Sequence, residues 1–407
     1  MKKILSYVLI VLGAAALVLA IALPTYVVPK GRVLPLNLVS TTGTNEVESN
    51  LLDSAALGQN KPLPEHANKP ECRGKTPQFS CFIGTSTPLK SQRFTVGQEP
   101  SNKEEVTLEV GTTLFRTDRD EPRNLLNATI ERITLDRETQ MPVDEPVSTI
   151  DIQPSNAAPE QAAEPSEDFT SANEPFVRSG IQYQFPMGTD RKSYPYFDYQ
   201  VLQAKDIDFV EEVEQDGEKV YHFQQTVEPT ELYPNVRQML EADGELSEVD
   251  KNSLSSLRLK FPAEQWGLER DEIHEGAASK KESEDDEDAL PDVEMSRFYT
   301  VNRDIWVQPD TGVIVKGSEE IWQFYAQDQE EADEIAQPEN REEEIANPER
   351  TATYFPGKWD QASMDAQMAK AKDGLDRMQT MGTVVPWILA IVGIIFLVLG
   401  FILHRRS

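Results

Sequence analysis

The segments FYTVNRDIWVQP (298–309) and VIVKGSEEIWQFYA (313–326), joined by Asp310-Thr311-Gly312, decide the fold class. In both arms apolar and polar residues alternate with a period of two, as in strands that bury one face. The joining residues suit a tight hairpin turn. A second hairpin is expected from Ile207–Val213 and Glu218–Val227 around Gln215-Asp216-Gly217. Further strands are read at Val106–Val110, Thr112–Arg116, Ala128–Asp136 (ATIERITLD), IQYQFP from Ile181, and Leu257–Phe261. Val33–Val47 reads as an extended lead-out, and Leu232–Leu246 as one helix. The chain is therefore mainly β (α+β), an antiparallel, barrel-like domain with a few helices.

Two apolar runs bracket this domain. Ile4–Leu23 and Val384–Leu403 carry no charge. A bilayer core about 30 Å thick needs roughly 20 such residues as a helix, because every backbone group must be paired inside hydrocarbon. The expected plan is a tip at 1–3, a transmembrane helix over 4–28, a domain over 29–383, a second helix over 384–403 and a tip at 404–407. Lys2 and Lys3 precede the first helix, and Arg405 and Arg406 follow the second. Cationic flanks stay cytoplasmic, which puts both tips inside and the domain outside the plasma membrane. Ala20-Ile21-Ala22 resembles a signal-peptidase site, but the run exceeds the usual 7–15-residue core of a signal peptide. A retained anchor is the expectation.

Charge narrows the partners. All 70 acidic residues lie between the runs, and removing Lys2, Lys3, Lys30, Arg405 and Arg406 from the 39 basic ones leaves 34, a net −36 for residues 31–383. Such a field disfavours nucleic acid and anionic headgroups. Cys72 and Cys81 are the only cysteines. In an oxidising compartment a disulfide between them is expected, worth roughly 2–3 kcal/mol by chain entropy.

Three acidic stretches, near 141–178, 268–294 and 327–350, read as insertions. The first is rich in Pro, Glu, Ala and Ser and lacks the apolar residues for a core, so a mobile loop is expected there. The second holds SEDDEDALPD without the pattern of a calcium loop. The third repeats EIAQPE (334–339) as EIANPE (344–349). From Asp360 to Gln379 the period becomes helical, with Met364, Met368, Ala371, Leu375 and Met378 near one stripe. That stripe either packs on the base of the domain or forms a Met-lined apolar gate near the membrane.

No catalytic constellation stands out. Nucleophile-elbow, zinc-protease, phosphate-loop and dinucleotide motifs are missing. His66, His222, His274 and His404 are isolated and lack metal-ligand spacing. The reading is non-enzymatic, with no metal and no cofactor.

The stretches PKGRVLPLNLVSTTGT (29–44), FPMGTDRKSYPYFDYQ (185–200) and IWVQPDTGVIVKGSEE (305–320) resemble the actinobacterial family called porin PorA. That resemblance implies the cell envelope of a mycolic-acid actinobacterium, and it raises the alternative of a porin or channel component. The plan of two anchors around a β-rich domain is also similar to the CD36 scavenger-receptor superfamily, whose ectodomain carries an apolar lipid tunnel. By that analogy the chain binds or relays a lipid or lipoglycan, with Tyr194, Tyr196, Phe197 and Tyr199 lining the path. A third alternative is a scaffold for other envelope proteins.

Overall fold

The computed structural model describes residues 2–121, 123–154, 175–241, 244–278 and 290–406. Thirteen strands are described: β1 (Val39–Gly43), β2 (Val47–Leu52), β3 (Ile83–Gln98), β4 (Glu105–Arg116), β5 (Leu125–Asp136), β6 (Thr149–Pro154), β7 (Tyr194–Asp198), β8 (Gln203–Gln215), β9 (Glu218–Glu231), β10 (Arg258–Pro262), β11 (Asp292–Gln308), β12 (Val313–Ala326) and β13 (Thr351–Lys358). They form one antiparallel sheet in the order β6-β5-β4-β3-β2-β13-β12-β11-β9-β8-β7, with β1 beside β3 and β10 beside β11. The sheet curls into a half-barrel. Phe176 pairs with Ser148 ahead of β6, and Ile181 pairs with Tyr196 of β7, so the stretch 176–181 bridges the two edges.

Both hairpins form where the alternation puts them. Asp216 and Gly217 have φ of 52° and 81°, the left-handed pair a two-residue hairpin turn requires. Gly312 also has positive φ, and a Cβ there would meet the Phe185 carbonyl oxygen, so glycine is needed on two counts. Cys72 and Cys81 form the expected disulfide.

Several elements differ from the sequence reading. Val106–Val110 and Thr112–Arg116 are one strand, because Gly111 continues the ladder opposite Phe94 and Ile130. The helix read over 232–246 stops at Leu240 (α2, Leu232–Leu240), and α3 (Glu248–Ser255) starts from a capping box of Ser247 and Asp250. Within the insertion at 141–178, β6 pairs with β5; residues 155–174 lie outside the described residues. The run at 279–289 does so too, which covers most of SEDDEDALPD. The stretch at 327–350 folds into α4 (Gln329–Ile335), capped by Asp328, and α5 (Pro338–Ala346), with Pro338 at its start. Through Ala332 and Ile335 of α4 these helices cover Phe298, Trp322 and Phe324 on the outer face of the sheet.

Helix α1 (Lys2–Ala22) continues through a π-turn to Lys30. Helix α6 (Gln361–Gln379) continues through a second π-turn, Thr380–Val384, into α7 (Val385–Arg405). Each continuous rod is long and apolar enough to cross a membrane. Met368 and Ala371 of α6 pack against Val220, Val313 and Val315, so the stripe serves the base of the domain. The two rods lie antiparallel. A Cβ at Gly13 would stand 2.8 Å from the Gly393 carbonyl oxygen, and Ser6 donates to the Gly400 carbonyl oxygen at 2.8 Å. Small residues let helix backbones approach closely where no hydrophobic force drives them together. Both charged tips therefore lie side by side.

His274 ties residues 270–278 to the cap of α4, with its Nδ1 2.6 Å from Asp328 Oδ2. That bond raises the His274 pKa above the ordinary 6.5. A raised histidine value means stability that is full below the unfolded pKa and is lost as pH rises through the folded one.

Replacing Gly393 with Leu is expected to force α1 and α7 apart. A Ser6→Cys, Gly400→Cys pair that cross-links in the parent should fail to do so in that variant. Hydrogen exchange near Ala277 should speed up, after correction for intrinsic rates, as pH rises past the His274 titration. His274→Ala should abolish that pH dependence.

Candidate functional site

Alternation on a curled sheet points every second side chain inward, and here those side chains bound a cavity of about 430 Å³. Gly317, Glu319, Ile321 and Gln323 of β12 line it, as do Thr353, Phe355 and Gly357 of β13. Along β12 it reaches from Ile314 to Gln323, nine residues and so about 30 Å at strand rise. At the base, the Trp359 ring closes on Gly317, where a Cβ would come within 3.0 Å of it. At the far end the walls are Leu232, Val236, Met239 and Leu257, which belong to α2 and the approach to β10.

A charged cluster sits behind the wall. Arg303 donates to Glu319 Oε1 at 2.7 Å and to Asp198 Oδ2 at 3.0 Å, and it also bonds Gln225. Tyr299 donates to Asp198 at 2.9 Å. Arg93 reaches toward the cavity from β3 and donates to Thr112. Burial works against the Arg93 charge, but Glu319 and the surrounding tyrosines outweigh it and raise its pKa. Burial likewise pushes Glu319 up, and Arg303 and Arg93 more than offset this, so its pKa ends low. Both groups are ionised at neutral pH.

A second buried pair closes the half-barrel. Arg178, from the stretch that bridges the edges, donates to Glu131 of β5 at 2.8 Å, and neither side chain reaches solvent. The Arg178 guanidinium also lies 3.8 Å from the Phe197 ring centre. One side chain thus joins β5 to β7.

Of the four aromatics expected to line a ligand path, Tyr196 and Tyr199 border the cavity. Burial pushes both hydroxyls up to about 12, so they remain neutral donors. Tyr194 and Phe197 do not reach the cavity wall. Tyr194 packs edge-on against Phe185 at 5.4 Å and its hydroxyl accepts from the Asp190 amide, while Phe197 sits beneath Arg178. Tyr194 shares its face of β7 with Tyr196, so position along the strand and not parity keeps it from the cavity. His222 stacks on Trp306 at 4.5 Å and bonds Asp304, a satisfied surface imidazole.

Sequence reasoning missed Arg93, Thr112, Thr129, Glu131, Arg178 and Glu319. In ATIERITLD, Glu131 shares parity with Ile133 and Leu135. A charge on the face that carries the core residues was the available signal.

Family comparison agrees with the three stretches singled out above. The family model described as Porin PorA matches residues 5–402. The chain belongs to the Porin PorA family. A Corynebacterium resistens protein named Porin PorA is 58% identical over 410 residues, covering 100% of this chain and 97% of its own. One of the same name from Corynebacterium amycolatum is 43% identical over 414 residues, covering both chains fully. A porin of the outer-membrane type turns an apolar band of its barrel toward lipid. This PorA-family sheet instead exposes Asp206, Asp208, Glu211, Glu212 and Glu214 along β8, and the terminal helices carry the apolar surface.

Glu131→Ala leaves Arg178 charged and buried, and should destabilise the fold by about 3–5 kcal/mol. Denaturant unfolding followed by tryptophan fluorescence would measure this. A loss below about 1 kcal/mol would refute the bridging role.

Proposed function

We propose that this PorA-family protein is a non-catalytic conduit of the cell envelope whose path is the ectodomain cavity. Both terminal helices hold it in the plasma membrane, with the tips cytoplasmic and the sheet outside. The cavity takes up the acyl part of a lipid or lipoglycan. The observation that carries this reading is the apolar patch of Leu232, Val236, Met239, Leu257 and Ile321 in the distal half of the cavity, which lies beside the polar Asn252, Ser256 and Arg297. Its volume lies in the range of sites that bury small ligands, too small for a bulky two-chain lipid.

A second reading, a channel in the membrane itself, is favoured by the name the relatives carry. The paired helices meet through Gly13, Gly393 and Gly400 and carry no charged residue within their apolar runs. A conducting path there would be built from several copies.

Native mass spectrometry of protein taken from nanodiscs is expected to show a bound acyl species, and Ile321→Trp, which fills the cavity, should cut its occupancy at least tenfold. A consistently empty protein that conducts ions in planar bilayers, with Ile321→Trp conducting equally well, would decide for the channel.

A further inference from the structure

Four adjacent strands place polar side chains in one row across the inner face. Thr42 of β1 is paired with Arg93 of β3, Arg93 with Thr112 of β4, and Thr112 with Thr129 of β5. All four line the cavity, and Asn127 lies two residues along the same face of β5. Above the row Leu114, Leu126 and Met239 give an apolar stretch of wall, with Asn252, Ser256 and Arg297 near its far end. The cavity is thus amphipathic along its length.

Two atoms in this region lack partners. Thr129 is 5% exposed and its hydroxyl has no hydrogen bond, and the buried Asn127 Oδ1 has none either. A buried polar atom without a partner is costly, and folded proteins leave few of them. The residues that carry both atoms line a cavity large enough to hold a ligand. Asn127 Oδ1 can only accept, so what fills it must bring a donor.

Charge restricts the donor further. Arg303 is paired with Asp198 and Glu319, Arg93 bonds Thr112 within the field of Glu319, and Arg297 bonds the Tyr325 hydroxyl. An added phosphate or carboxylate would meet Glu319 and offer Asn127 no proton. An added ammonium would meet Arg93 and Arg303. An uncharged polyol satisfies the free acceptors and leaves the ion pairs intact.

We infer that the cavity is a two-part site for a single-chain amphiphile with an uncharged, polyhydroxylated headgroup. The head rests on the row from Thr42 to Thr129 and hydrogen-bonds Asn127 and Thr129, and the chain lies against the distal apolar wall. This assignment rests on the conduit reading above and specifies its cargo.

The test uses the full chain in nanodiscs and dodecyl probes below their micellar concentrations: dodecyl glucoside, dodecylphosphocholine and laurate. Binding is read from native mass spectra and from Trp359, which lines the cavity. Dodecyl glucoside is expected to bind about tenfold tighter than the other two, the effect of one or two well-made buried hydrogen bonds. Thr129→Val removes the hydroxyl at nearly constant shape, and Asn127→Leu removes the amide. Each should erase most of the preference and leave laurate affinity unchanged, with a thermal midpoint equal to or above the parent's. Equal binding of all three probes, or tighter binding of a charged one, overturns the headgroup assignment while the apolar site stands. A glucoside preference untouched by both substitutions overturns the placement of the head. If no probe binds, the conduit reading fails and takes this inference with it.

Discussion

A sheet curled this far leaves two free edges, and the contact that joins them is an ion pair without solvent. Arg178 holds Glu131 on one side of the gap and covers Phe197 on the other. Water cannot replace either partner, so the pair is formed fully or its loss is felt fully. With the edges joined, the inner face becomes a wall around a space. Without them joined, the same strands would form an open, curved sheet with a wet concave side. The cavity, the row of polar groups and the placement of Tyr196 and Tyr199 all depend on this closure.

The inside of the domain is electrically unlike its outside. The surface belongs to a chain of net charge −31, whereas the interior balances Arg93 and Arg303 against Asp198 and Glu319. A strongly acidic exterior keeps the domain hydrated. The cavity is also connected to the long apolar helices. Trp359 at the base of the cavity directly precedes Asp360, the cap of α6, and α6 runs without a break into α7. A π-turn interrupts each rod at similar depth, Leu23–Val27 in one and Thr380–Val384 in the other, and such turns are where helices tolerate adjustment.

Much of the fold was legible because its signals are local. Alternation marked both long hairpins, and the Asp216-Gly217 turn could be read from two residues with access to positive φ. The spacing of Met368 and Ala371 announced a helix with one buried face, and the two cysteines, nine residues apart, form the expected bond. Errors clustered where composition was used in place of pattern. The stretch at 327–350 looks like a solvated insertion by charge, yet Asp328 and Pro338 carry the start signals of α4 and α5. Tyr194 and Phe197, grouped with Tyr196 and Tyr199 by chemistry, pack against Phe185 and Arg178 instead of lining the cavity.

The sequence by itself determined the two apolar rods, the antiparallel β character, the disulfide and the membership in the Porin PorA family, since each rests on residues near one another or on matched order along the chain. Only the tertiary structure decided the site. Thr42, Arg93, Thr112 and Thr129 are separated by long stretches of chain and become neighbours through strand register. Glu131 meets Arg178 only because the sheet curls. Curl and register are set by the sum of many pairings across the sheet, and no short stretch of sequence carries that sum.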